Sequence, residues 1–325
     1  MRELKLRGAI DNVGTAYHLT SAGISYLSEI DFAESVETEV PIPIVDPSQS
    51  YVFHDFVTDT GFPEQTVERW LKAIERKKQV IFYGPPGTGK SFVAEKVARY
   101  LNRTKDGMVE TVQFHPAYSY EDFIQGIRPQ LAANGGLDYQ MREGHFLRFC
   151  AEAAQREGTC VLIIDEINRA NLARVFGELM FLLEYRDQEI GLAGGKTLRI
   201  PDNVRIVGTM NTADRSIALV DHALRRRFAS LKLSPEYDVL RQYLHKKVAA
   251  FPADNLVKEL QRLNGEINDP HYEVGISYFM RTDLAEQIGD IWQMEIEPYL
   301  EEYFFDQPAK AREFQWEKVG PRIGV

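Results

Sequence analysis

Hydrophobic and polar positions fall into distinct rhythms along the chain. Residues 79–83 (QVIFY) and 160–164 (CVLII) are nearly continuous apolar runs, ending in a glycine-rich turn and in Asp165-Glu166 respectively. Runs this short and this apolar predict strands buried on both faces, as in a parallel sheet. A third strand is predicted in PDNVRIVGTMN (201–211). It opens on a Pro201-Asp202 turn, continues through Val204, Ile206 and Val207, and leaves Asn211 at its end, as Asp165 ends the run before it. Val93, Ala94, Val97 and Ala98 form an apolar stripe that seats a helix on this sheet. Ile217, Leu219, Val220 and Ala223 give another apolar face, closed by Arg225, Arg226 and Arg227 and followed by a strand, FASLKL. Beyond Ser234 the spacing of Leu256, Leu260 and Leu263 predicts helices. Strands alternating with helices, then helices alone, predict an α/β core with a parallel sheet between helices, followed by a small α-helical domain.

Three regions follow from the same pattern. Residues 1–50 are a leader, 51–233 the α/β domain, and 234–325 the helical domain. Within the leader, Ser28 to Ser50 has no Lys or Arg, several acidic residues, and Pro41, Pro43 and Pro47. This composition reads as an extended acidic linker. The segment before it, YHLTSAGISYLSEI (17–30), has a helix signature, with Thr20 as a cap and Ile24 and Leu27 on one face. It is either a packing segment of the main body or a remnant of a winged-helix domain.

Composition narrows the picture. The 325 residues are 44% hydrophobic with a formal net charge of −10. No apolar run approaches the length of a membrane span, and MRELKLRGAI lacks the apolar stretch of a signal peptide. The two cysteines, Cys150 and Cys160, form no CxxC pair. This fits a reducing cytoplasm, with no disulfide frame and no zinc site. So acidic a chain needs a local basic face or a partner to hold DNA. No nuclease constellation stands out on the chain.

Gly84-Pro85-Pro86-Gly87-Thr88-Gly89-Lys90-Ser91 is a full Walker A pattern between a strand and a helix, and these residues with the next, Phe92, are expected to bind the nucleotide. Its glycines let backbone N–H groups turn toward phosphates, and the helix start adds a favourable dipole. Lys90 then reaches the β- and γ-phosphates, and Ser91 ligates Mg²⁺. Asp165 and Glu166 form the matching Walker B pair. Asp165 holds Mg²⁺, and Glu166 takes a proton from the attacking water.

MNTAD (210–214) resembles a guanine-reading Asn-x-x-Asp element. Its position argues otherwise: Asn211 ends a core strand, so it stands beside the γ-phosphate and orients water. The arginines at 225–227 are either a solvated helix end complementing the dipole or an arginine finger for a neighbouring subunit. Phe114, His115, Tyr118 and Tyr120 form an aromatic cluster, either core and interface packing or a loop facing a pore or partner. The segment from Asp59 to Phe62, leading toward the phosphate loop, is expected beside the base, with Asp59 suited to guanine donors.

The ordered Walker A, Walker B, sensor Asn and terminal Arg residues, followed by a helical lid, resemble the AAA+ class. VQFHPAYSYEDFIQGIRP (112–129), IIDEINRANLARVFGELMFLLE (163–184), MNTADRSIALVDHALRRRF (210–228) and EPYLEEYFFD (297–306) together resemble the McrB family of methylation-dependent restriction systems. The resemblance covers about residues 60–310. It implies a hexameric ring, GTP hydrolysis, and a nuclease partner of the McrC type. Asn211, Asp214, Arg226 and Arg227 become expected active-site positions. It also implies DNA contact through a partner or through an N-terminal recognition domain, where this chain has only its short leader. The alternative within the same fold is an ATP-driven remodelling chaperone. EVGISYFM (273–280) departs from the Gly-His-Ser-Tyr-Phe expected in some relatives, with Ile276 at a position expected to be polar.

Overall fold

A computed structural model describes residues 51–325, apart from 104–105, 132–136 and 215–225, together with residues 10–13 and 16–19. Met1–Gln49 and Ser50–Val325 are separate compact units. In the first, β1 (Ile10–Val13) and β2 (Ala16–Leu19) pair antiparallel. The expected leader helix at 20–30 and the acidic linker lie outside the described residues, as do Ile217 to Ala223 and Arg225.

The second unit begins with α1 (Phe53–Thr60) and α2 (Glu64–Lys77), followed by β3 (Gln79–Gly84) and α3 (Lys90–Leu101). After β4 (Met108–Gln113), a hairpin of β5 (Gln125–Leu131) and β6 (Leu137–Glu143) leads into α4 (His145–Ala153) and β7 (Cys160–Asp165). Next come α5 (Leu179–Glu184), a small hairpin of β8 (Ile190–Gly191) and β9 (Thr197–Leu198), β10 (Val204–Asn211) and β11 (Ala229–Lys232). The central sheet runs β11-β3-β10-β7-β4, and every neighbouring pair is parallel.

The apolar runs are continuous because both faces of this sheet are covered. Side chains alternate across a strand. Cys160, Leu162 and Ile164 of β7 join the core on one face, with Phe146, Phe149 and Phe176. Val161 and Ile163 join the opposite core, with Phe56, Trp70 and the α3 stripe Val93, Ala94, Val97 and Ala98. β4 is an edge strand and only partly buried, which accounts for its mixed sequence MVETVQ.

Helices follow β11, beginning with α6 (Tyr237–Lys247), α7 (Ala253–Ile267) and α8 (Leu284–Ile291). They bury their own core of Leu256, Leu260, Leu263, Phe279, Trp292 and Phe314. Trp292 is fully buried and its indole N–H donates to the Phe314 carbonyl at 2.7 Å. Among the described residues, no helix is long and apolar enough to cross a membrane.

At the end of the sheet where β7 and β10 begin, Asn203 ties the end of α4 and the turn after it to the start of β10. Its Nδ2 donates toward the carbonyls of Ala153, Arg156 and Gly158, each at 2.9 Å. Asn203→Ala strips these carbonyls of their shared donor. It is expected to cost about 1–3 kcal/mol in a denaturant titration. Nucleotide affinity should not change, because Asn203 precedes β10 and the phosphate loop follows β3 at the opposite end of the sheet.

Candidate active site

Parallel strands deliver their functional residues at one edge, the carboxyl ends. Here three adjacent strands do so. β3 runs into the glycine-rich loop, β10 ends at Asn211 opposite Gly84, and β7 ends at Asp165. Asn211 therefore stands one strand spacing, about 4.8 Å, from the start of the phosphate loop. The Thr212 N–H donates to the Gly84 carbonyl at 3.0 Å and continues the register past the strand.

The loop's shape depends on Gly87 and Gly89, whose φ angles of 73° and 81° lie in the left-handed region. Thr88 is buried and its hydroxyl donates to the Pro85 carbonyl at 2.9 Å. Lys90 opens α3, and its Nζ donates to the same carbonyl at 2.7 Å. Burial pulls the Lys90 ammonium down to about 8, while the carboxylates of Glu166 and Asp165 act in the opposite direction. Phe92 faces outward at 43% exposure, with the Lys96 ammonium 5.1 Å from its ring centre.

Asp165 is the hub of the hydroxyl network. Its Oδ1 accepts from Ser91 Oγ at 2.8 Å and from Thr209 Oγ1 at 2.6 Å. The Thr209 hydroxyl in turn accepts from the Glu166 N–H at 3.1 Å. Thr209 escapes a motif-based reading. Its signal is positional: it lies two residues before Asn211 on β10, so it shares Asn211's side of the sheet.

Glu166 adopts φ 52°, ψ 42°, a left-handed conformation uncommon for a residue with a side chain. Its Oε2 accepts from Arg169 Nε at 3.2 Å, and the Arg169 guanidinium also lies 3.8 Å from the Asp214 carboxylate. Glu166 and Asp214 are thus joined through Arg169, a residue not singled out in the sequence. Asn211 Oδ1 accepts from the Ala213 N–H at 3.3 Å, while Asn168 Nδ2 donates to the Asn211 carbonyl at 3.1 Å.

Arg226 and Arg227 sit elsewhere. They precede β11, whose Ala229 pairs with Val80 near the start of β3. β3 spans six residues, so roughly 17 Å of strand separates them from their own phosphate loop at about 3.3 Å per residue. Arg226 is exposed, and its carbonyl accepts from Lys77 Nζ at 3.0 Å. Arg227 is largely covered and ion-paired with Glu184 at 2.9 Å.

Asp59 does not present an open carboxylate to a base. It accepts from Lys96 Nζ at 2.6 Å and from the Tyr51 hydroxyl at 3.0 Å. Burial alone would raise this carboxyl, but the hydrogen bonds from Lys96 and Tyr51 outweigh it and hold it below the usual carboxylate range. In the aromatic cluster, Phe114 and Tyr118 stack with ring centres 4.6 Å apart inside the core, and His115 is exposed. The Tyr120 hydroxyl donates to Glu178 at 2.6 Å.

The sequence is similar to those of known proteins. The AAA domain of the dynein-related subfamily matches residues 79–228, and the McrB alpha-helical lid domain matches residues 255–312. The chain is 38% identical over 304 residues to the type IV methyl-directed restriction enzyme EcoKMcrB subunit of Escherichia coli K12, covering 86% of this chain and 65% of that protein. It is 29% identical over 212 residues to the type II restriction enzyme BsuMI component YdiS of Bacillus subtilis, covering 53% and 60%. A proteasome-activating nucleotidase of Sulfurisphaera tokodaii is 29% identical over 185 residues, covering 53% and 40%. The chain spans less than two thirds of the length of each of these relatives. The chain thus carries an AAA domain followed in order by an McrB-type lid, and over most of its length it is similar to an McrB subunit.

Proposed function

We propose that this chain is the GTP-hydrolysing motor of a restriction system, working as a ring with a McrC-like nuclease that cuts modified DNA. The observation that carries the reading is the convergence of the phosphate loop, Asn211 and Asp165-Glu166 at the ends of three adjacent parallel strands. Gly84 to Ser91 cradle the triphosphate through backbone N–H groups, and Lys90 supplies a positive charge at the β- and γ-phosphates. Hard oxygen donors suit a divalent cation: Ser91 Oγ and Asp165 Oδ1 lie 2.8 Å apart, and Thr209 donates to the same carboxylate oxygen. Bound Mg²⁺ there would neutralise charge on the β- and γ-oxygens. Glu166 accepts the proton of the attacking water, and Asn211 orients that water. Arg169 holds Glu166 and Asp214 in one charged group. Arg226 reaches the pocket of the adjacent subunit, since it cannot reach its own. Arg227 joins it there if assembly releases it from Glu184.

The preference for GTP and the nuclease partner rest on the likeness to McrB proteins. Turnover of GTP and ATP measured side by side tests the first: a kcat/KM favouring GTP is expected, and one favouring ATP moves the chain to the remodelling-chaperone alternative. Lys90→Ala is expected to abolish triphosphate binding in a titration with a fluorescent nucleotide. Unchanged affinity in that variant would remove the phosphate-loop assignment.

A further inference from the structure

The lid touches the phosphate loop through its backbone. Asn264, buried near the end of α7, grips one residue of the loop that follows. Its Oδ1 accepts from the Val274 N–H at 2.7 Å, and its Nδ2 donates to the Val274 carbonyl at 3.0 Å and to the Tyr237 hydroxyl at 2.8 Å. Just beyond, the Gly275 N–H donates to the Pro86 carbonyl at 3.0 Å and the Ser277 N–H to the Gly87 carbonyl at 2.8 Å. No side chain fits at residue 275. A Cβ there would lie 2.0 Å from the Gly87 carbonyl carbon and 2.5 Å from Thr88 N. At its other end the same loop meets the sensor strand, where the Thr212 hydroxyl donates to the His271 carbonyl at 3.1 Å.

A trans peptide points its C=O and its N–H in opposite directions. Fixing the Pro86 carbonyl against the lid therefore turns the Gly87 N–H to the far side of the loop. Fixing the Gly87 carbonyl does the same for the Thr88 N–H. The far side is the one that faces a bound phosphate, since an anion is held by N–H groups directed into the concavity. We propose that Gly275 and Asn264 are positioning residues for the phosphate loop: Asn264 fixes the lid segment, and Gly275 lets its backbone approach closely enough to aim two phosphate-binding N–H groups. Lid position and phosphate grip are then one equilibrium, because opening the lid breaks both backbone bonds. The contact also accounts for Ile276. Its side chain is buried in the lid core, and the adjacent backbone rather than a polar side chain meets the loop.

The proposal rests on the loop being a triphosphate site, and the test separates the two. In the full chain, Gly275→Ala and Asn264→Ala should release mant-GTP at least about tenfold faster than wild type, the effect of losing one oriented donor. Asn264→Ala also strips the buried Val274 peptide groups of their partner and should lower the thermal midpoint, so release is compared at a temperature where every variant is folded. Gln261→Ala, on the exposed face of α7, should match wild type in both release rate and thermal midpoint. A folded Gly275→Ala protein with the wild-type release rate overturns the proposal. The wild-type protein supplies an independent readout: saturating GTPγS should slow amide hydrogen exchange in the peptide containing Gly275 and Ser277. Unchanged exchange there overturns the proposal even if neither variant folds. If wild type binds no triphosphate at all, the nucleotide-site reading itself falls, and the proposal with it.

Discussion

Arg226→Ala is expected to lower GTP turnover by roughly 10³- to 10⁵-fold while leaving GTP binding intact. The magnitude is that of a guanidinium removed from the charge of a phosphoryl-transfer transition state. The separation of binding from turnover comes from the topology. Arg226 lies before β11, level with the start of β3, whereas the phosphate loop leaves the end of β3. On the proposed reading Arg226 serves a neighbour's pocket, so the loss is expected there. Mixing Arg226→Ala with Lys90→Ala subunits should restore part of the activity, since the Lys90→Ala subunit donates its arginine to an intact pocket. Turnover at the wild-type rate in Arg226→Ala would sink the assignment. Arg227→Ala should differ in kind. It removes an ion pair with Glu184 inside the same chain, so a loss of stability is expected along with any loss of activity.

Glu166→Gln is expected to slow hydrolysis by roughly 10²- to 10⁴-fold with nucleotide affinity preserved, because the amide keeps the shape of the side chain but cannot take a proton. The backbone argues that the residue is held deliberately. Glu166 sits in a left-handed conformation, and its N–H is fixed by the Thr209 hydroxyl that also holds Asp165. Such strain persists only where the surroundings over-determine it. Fluorescent-nucleotide titration and phosphate release on the same preparation separate the two effects. Weakened binding with normal turnover per bound nucleotide would contradict the role given to Glu166.

Much of the fold was legible because a sheet covered on both faces leaves a plain signature. QVIFY, CVLII and VRIV are strands of this kind, and each leads to the residue expected to act at its end. The placement of Asn211 beside the phosphate loop needed only that order. Contacts made by backbone were not legible. The bonds from Gly275 and Ser277 to the phosphate loop leave no side-chain pattern, and Gly275 is marked only by the Cβ it lacks. Thr209 looked like one more strand residue until Asp165 was found beside it. Lys96, two turns along α3 from the phosphate loop, takes the Asp59 carboxylate, a pairing between two helices that local sequence does not announce. The hairpin of β5 and β6 was likewise missed. Its Ile127, Leu137, Tyr139 and Met141 are exposed, so it has no buried face to impose a recognisable alternation.

On the function proposed above, the carboxyl edge of the sheet is a triphosphatase completed by a neighbouring subunit. The most direct test is phosphate release from GTP in the presence of Mg²⁺, followed over a dilution series of the wild-type protein with Lys90→Ala as baseline. Release well above that baseline is expected at high protein concentration, with specific activity falling as the assembly is diluted apart. Release no faster than Lys90→Ala at every concentration, or specific activity that stays flat down to monomer concentrations, would contradict it.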